Sequence, residues 1–219
     1  MRKLNGGFSV VEMLVSLVAG LVVVAGAISL FTTVMVSGNT TLLLSRLNQD
    51  VQAITDIMVR DIQRAGYHPS AAAELAFGVP TSAASSPKYV FSTSADLHTS
   101  SGSTQPDCIR IKYWDPDPTS GEGSVVRVYG YDALNKALKV STSYTVPGSS
   151  ALDSGDCSGG NKLISEEEVL IDSLSFALVS SASASGMRAI ELAISASHAS
   201  RPALAMSLRR QIKLRNDGY

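Results

Sequence analysis

From Met13 to Ser45 the chain contains no Asp, Glu, Lys or Arg. Within that stretch, the 24 residues from Met13 to Val36 have only Ser and Thr as polar members. As an α-helix they extend about 36 Å, enough to cross a hydrocarbon core of about 30 Å. Arg2 and Lys3 stand before the run, which holds the N-terminus on the cytoplasmic side and sends the rest out. An ordinary secretory signal has a shorter apolar core, with a small-x-small cleavage site after it. Here the run is longer, and Ala25-Gly26-Ala27 lies inside it. A plain signal anchor fits the length but leaves Glu12 unexplained. A carboxylate near hydrocarbon costs roughly 2.5–3.5 kcal/mol at a helix centre and less near its end, so Glu12 calls for a partner.

After the run the pattern changes without a break. Leu44, Leu47, Val51, Ile54, Met58, Ile62 and Ala65 follow three- and four-residue steps, the stripe of an amphipathic helix. Polar residues fall between them, among them Asp50, Asp56, Arg60, Asp61 and Arg64. Gly66 followed by Tyr67-His68-Pro69 is a stop signal. One helix from about Phe8 to Ala65 is expected. Residues 70–106 are rich in Ser, Ala, Thr, Pro and Gly, with one short apolar patch at Tyr89-Val90-Phe91, and read as loop with one short strand. Strand-like alternation then begins, with Ile109, Ile111 and Tyr113 on one face and Arg110 and Lys112 on the other. Further strands are expected over 125–131, 138–146, 169–179, 188–197 and 204–215. In the last, Arg209, Gln211, Lys213 and Arg215 point outward. The fold class is therefore α+β: a long N-terminal helix feeding an antiparallel β-rich head.

The net charge of −1 gives no global basic field for nucleic acid. Cys108 and Cys157 are the two cysteines. In an exported domain they form one disulfide; in a cytosolic one they are free, buried thiols.

The N-terminus carries a family resemblance. Arg2-Lys3-Leu4-Asn5-Gly6-Gly7, then Phe8-Ser9-Val10-Val11-Glu12 and the apolar run, resembles a type IV prepilin signal. The resemblance implies that a prepilin peptidase cuts after Gly7 and methylates the new Phe8 amine, while the apolar segment is kept. Met58-Val59-Arg60-Asp61-Ile62-Gln63-Arg64-Ala65-Gly66-Tyr67 is similar to the helix end of PilW-type minor pilins and of the related J-type minor pseudopilins of type II secretion. The resemblance covers residues 1–67 closely and the rest only in architecture. It divides the chain into a leader (1–7), a transmembrane or filament-core helix (8–36), an amphipathic half (37–66) and a β-rich head (67–219). Unlike many major pilins, the apolar half has no helix-bending proline, and Gly20 and Gly26 are its only weak points.

What the resemblance implies is a non-enzymatic minor pilin without cofactors. It is held in the inner membrane with its head in the periplasm, then assembled at the tip or initiating complex of a cell-surface pilus. The implied partners are other minor and major pilins, the prepilin peptidase and the inner-membrane assembly platform. A minor pseudopilin of type II secretion is the alternative, and a signal-anchored periplasmic enzyme a distant one. In this setting Glu12 has a role. Apolar helices bundled in a filament leave an unpaired carboxylate very costly, and the cationic Phe8 amine of a neighbouring subunit can meet it. With the head exported, a Cys108–Cys157 disulfide is expected.

Other constellations are weaker. Gly155-Asp156-Cys157-Ser158-Gly159-Gly160 superficially resembles the surroundings of a serine nucleophile, but a cysteine interrupts it and no matching histidine lies upstream. The stretch from Asp115 to Glu122 spaces oxygens as calcium loops do, yet Ser120 and Val126 stand where an EF-hand needs Gly and Glu, so a hairpin loop is the simpler reading. His68, His98 and His198 are scattered in polar or loop contexts and form no zinc spacing. Glu166-Glu167-Glu168 reads as a solvated turn. Arg209, Arg210, Lys213 and Arg215 read as the protected face of an edge strand rather than a DNA contact.

Overall fold

The computed structural model describes residues 9–76, 86–115, 123–147, 150–180 and 188–216. Its first element is a single helix, α1 (Val10–Arg64), which runs unbroken through Gly20 and Gly26. The chain divides into two compact units between Ser45 and Arg46. In the first, α1 is apolar on every side, and no described residue is buried. That stretch is long and apolar enough to cross a membrane.

In the second unit α1 becomes one-faced. Leu47, Val51, Ile54, Met58 and Ile62 are buried, as the spacing predicts, whereas Leu44 is largely exposed. The stripe packs on two antiparallel meanders. The first has strand order β1 (Leu97–His98), β2 (Cys108–Trp114), β3 (Ser124–Asp132), β4 (Ala137–Ser143), β5 (Asn161–Lys162). The second comprises β6 (Val169–Ser180), β7 (Arg188–His198) and β8 (Arg201–Lys213), with β7 in the centre. Ile109, Ile111 and Tyr113 of β2 share one core with Ile190, Leu192 and Ile194 of β7 and with the helix stripe. Period-two alternation thus presents one apolar face from each sheet to the period-3.6 face of the helix.

The helix stops where the sequence indicates. Gly66 takes φ +78°, and a side chain there would run into the backbone of Asn216. Its N–H donates to the Lys112 carbonyl (3.0 Å), and the Trp114 N–H donates to that of Tyr67 (2.9 Å), so the exiting chain runs beside β2. The segment read as loop with one short strand does hold one, β1, though not at the apolar patch, and it also holds short helical elements: α2 (Ala71–Ala76), a 3-10 turn (Ser86–Tyr89) and α3 (Thr93–Asp96). Their Ala- and Ser-rich sequence has too few apolar residues to show a period. What holds the segment down is the apolar patch, for Tyr89 and Phe91 are buried and the Tyr89 hydroxyl bonds Ser124 Oγ (2.8 Å).

Two buried charge clusters depart from the simple alternation. Asp61 lies on the buried side of α1, where Arg127 Nη1 donates to it (2.8 Å) and the Tyr129 hydroxyl forms a second, short hydrogen bond. Beside that carboxylate, burial first and then its negative charge push the Tyr129 hydroxyl pKa well up, which keeps it a protonated donor. The polar face of β2 is also covered. Buried Asp96 accepts from Arg110 Nε (2.7 Å), Lys112 Nζ (2.9 Å) and the Ser92 N–H (2.8 Å). Arg110 also donates to the carbonyls of Ala95 (3.0 Å) and Ser150 (2.7 Å), spending the donors that one carboxylate cannot take.

On the same side α4 (Ser154–Ser158) begins with a reciprocal cap between Asp153 and Asp156 and lies directly over β3. The strand has Gly130 at that point, and a side chain there would fall on the Cys157 carbonyl. Cys157 is joined to Cys108 by a disulfide across 49 residues of sequence. Cys108, Val128, Leu152 and Cys157 form a small second core beneath it.

Two expectations follow for the full chain in detergent, followed through Trp114, its single tryptophan. Asp61→Ala strands Arg127, whose side chain is 34% exposed, so solvent absorbs part of the charge. Unfolding in urea should lose about 2–3 kcal/mol, below the roughly 3–5 of a fully buried pair, while Tyr129→Phe should lose about 1. A loss equal to that of Tyr129→Phe would mean that the carboxylate does not anchor the helix. Replacing both Cys108 and Cys157 by Ala should lower stability by roughly 4 kcal/mol on the chain-entropy account. Both thiols reacting with an alkylating agent in the native, unreduced protein would contradict the bridge.

Candidate assembly and processing site

The junction between Gly7 and Phe8 lies outside the described residues. The site is therefore built from Ser9 onward. The Ser9 carbonyl accepts the N–H groups of Glu12 (3.0 Å) and Met13 (3.1 Å), which closes the first turn of α1. Glu12 stands in that turn, at the positive end of the helix dipole, a favourable place for a carboxylate. Its side chain has no hydrogen bond or ion pair among the described residues. On its own face it has Val15, 63% exposed, and the small polar Ser9 and Ser16 one turn away.

The polar side chains farther along this surface are largely self-contained. Thr32 bonds the carbonyls of Ile28 (3.1 Å) and Ser29 (2.9 Å), and Thr33 bonds Ser29 (2.9 Å). Thr40 and Thr41 reach back one turn to Val36 (2.9 Å) and Ser37 (3.0 Å). These threonine hydroxyls offer a neighbouring helix or lipid no unsatisfied donor. What remains is a mostly apolar surface with a few small polar side chains (Ser16, Ser29, Ser37, Asn39) and one carboxylate in its first turn.

Among the described residues the catalytic and metal alternatives find no assembled group. Cys157 is half of the disulfide, and its neighbour Ser158 closes a short helix. His68 stacks on Tyr89 (ring centroids 5.1 Å) and meets the edge of Trp114 (5.4 Å). Its Nδ1 accepts the Ser70 N–H (3.3 Å), and burial pushes its pKa below the usual value, so although it lies in the loop as expected, it is a neutral packing group there. His98 is in β1, and His198 accepts the Ser200 N–H at the β7–β8 turn (3.1 Å). Among the described residues no three His, Cys, Asp or Glu side chains are grouped to hold a metal ion. Residues 116–122 of the calcium-like loop lie outside the described residues. Glu166 pairs with Lys162 in the turn before β6. Arg210 departs from the basic face proposed for β8, since it turns inward to Asp56 (2.7 Å).

Sequence reasoning missed Asp61 and Asp96. Asp61 had a signal, because it falls three residues after Met58 and four before Ala65, on the buried stripe itself. Asp96 had none, for its partners come from β2 and a four-residue helix without periodicity.

A family model described as prepilin peptidase-dependent protein B matches residues 40–214. No curated protein and no solved structure matches the chain. The matched range begins after most of the apolar run, so it owes nothing to Gly7, Phe8 or Glu12. It agrees with the resemblance to minor pilins carried by residues 1–67. With all eight described strands inside the matched range, the chain belongs to the prepilin peptidase-dependent protein B family.

Proposed function

We propose that this chain is a minor pilin, a structural subunit rather than an enzyme. It is cut after Gly7 by the prepilin peptidase, methylated on Phe8 and held in the inner membrane by the apolar half of α1. The head then lies in the periplasm until the assembly platform draws the subunit into a tip or initiating complex with other minor and major pilins. The carrying observation is the exposed apolar helix with Glu12 as its one carboxylate, preceded in sequence by the basic leader and the Gly-Phe junction. A minor pseudopilin of type II secretion shares every one of these features, and the neighbouring genes distinguish the two.

Insertion and assembly make opposite demands on Glu12. As a membrane anchor alone, the helix gains by losing the carboxylate. In a helical bundle the Glu12 carboxylate and the Phe8 amine of a neighbour are buried together. Losing one leaves the other unpaired, a penalty of several kcal/mol. The pair then sets the register in which subunits join, the best-attested use of a buried ion pair.

Mass spectrometry of the mature chain should find its N-terminus at Phe8 with one N-methyl group. A chain starting at Met1, or after Ala27, would end the pilin reading. Glu12→Ala should insert normally and still be cut after Gly7, yet fail to co-purify with other minor pilins and lower the number of surface pili. Glu12→Gln should be nearly as defective, since it keeps shape without charge. Wild-type co-purification and pilus counts for Glu12→Ala would make the carboxylate a bystander.

A further inference from the structure

A sheet edge is a row of backbone donors and acceptors that can template another strand, and folded proteins generally blunt such edges. Among the described strands, three of the four sheet edges are blunted. β1 and β5, at the ends of the first sheet, are two residues long. β6 is broken by a register shift between Ile171 and Ser173 and is covered by chain from the first sheet. The Ile171 N–H donates to the Lys136 carbonyl (2.8 Å), the Phe176 N–H donates to that of Pro106 (2.7 Å), and Lys136 Nζ holds Asp172 (3.0 Å).

The fourth edge, β8, is different. Its pairing with β7 is regular from Ala205 to Lys213, and among the described residues no strand lies beyond it. Pro202 and a register shift opposite His198 interrupt only its beginning. Among the described residues its backbone bonds to nothing except β7. The inner face of the strand is incompletely covered as well. Leu204, Met206 and Leu208 are half-buried, whereas Ile190, Leu192 and Ile194 of the central strand are fully buried. A further strand beside β8 would satisfy the open backbone groups and cover these side chains.

Charge limits what that strand can be. Arg201, Arg209, Lys213 and Arg215 are all exposed along β8 and just after it. Arg209 makes a loose contact with Glu191 (3.4 Å), while Arg201, Lys213 and Arg215 have no partner among the described residues. Two copies of this edge would bring like charges opposite one another, which is destabilising. An acidic strand would meet cations instead. The same residues that protect the edge against self-association therefore select its partner.

We infer that β8 is a strand-addition site for an extended acidic segment of another protein. The inference rests on the head alone, so it stands or falls separately from the pilin reading. The test uses the full chain in detergent micelles and a synthetic peptide of alternating Glu and Val as the probe. Hydrogen exchange of the amides from Ala205 to Lys213 should slow about tenfold at saturating peptide, with β1 to β5 unchanged. A peptide N-methylated at alternate residues cannot complete the ladder and should give no protection, and a Lys–Val peptide should give none either. The triple variant Arg201→Glu, Lys213→Glu and Arg215→Glu touches no paired residue and should lose the Glu–Val peptide while keeping its thermal midpoint. Equal binding of the N-methylated peptide would reduce the site to charge attraction without strand addition. Equal binding of the Lys–Val peptide would remove the charge selection. No protection by the Glu–Val peptide would overturn the inference.

Discussion

The head depends on one helix face. The apolar sides of both sheets that face the main core find cover in the residues from Leu47 to Ile62. Hydrophobic contact alone leaves such a helix some freedom to rotate or slide, since apolar contacts are non-directional. Asp61 removes that freedom. A carboxylate inside the interface has to find Arg127 and Tyr129, and it does so at one rotation and one height along the helix. Just past this point, the turn at Gly66 and the backbone bonds of Gly66 and Tyr67 to β2 fix where the helix ends.

Period was what made the rest legible. The helix stripe and the strands were readable because alternation at 3.6 or 2 residues survives in a single sequence, and burial in the structure follows it from Val51 to Ile62 and from Ile190 to Ile194. Side chains whose environment is made by distant chain were not readable. Arg110 and Lys112 alternate correctly, but nothing nearby tells that Asp96 and Ser150 will close over them. His68 has the sequence surroundings of a loop residue, and only the approach of Tyr89 and Trp114 makes it part of an aromatic stack. For the candidate site the order was reversed. Glu12 was visible at once as a carboxylate at the mouth of a charge-free run, because the oddity is local.

Two independent lines meet in this chain. The leader, the Gly-Phe junction and Glu12 belong to residues that the family model does not touch, and the matched range from residue 40 to 214 contains the second unit's strands. The division of the chain after Ser45 follows nearly the same line. Up to there the helix presents its side chains outward on all sides, and beyond it one face is reserved for the head's own core. One helix thus performs two kinds of packing, and the change is written as the return of charge at Arg46.

The threonines of the apolar half have a consequence for movement between surroundings. Because Thr32, Thr33, Thr40 and Thr41 bond to carbonyls of their own helix, these bonds travel with it. Exchanging acyl chains for the side chains of other helices requires no broken or reformed pairing at those positions, and one apolar neighbour is replaced by another. On the proposed pilin reading, such an exchange would leave these four threonines undisturbed, and the surroundings of Glu12, the carboxylate in the first turn, are what it would change most.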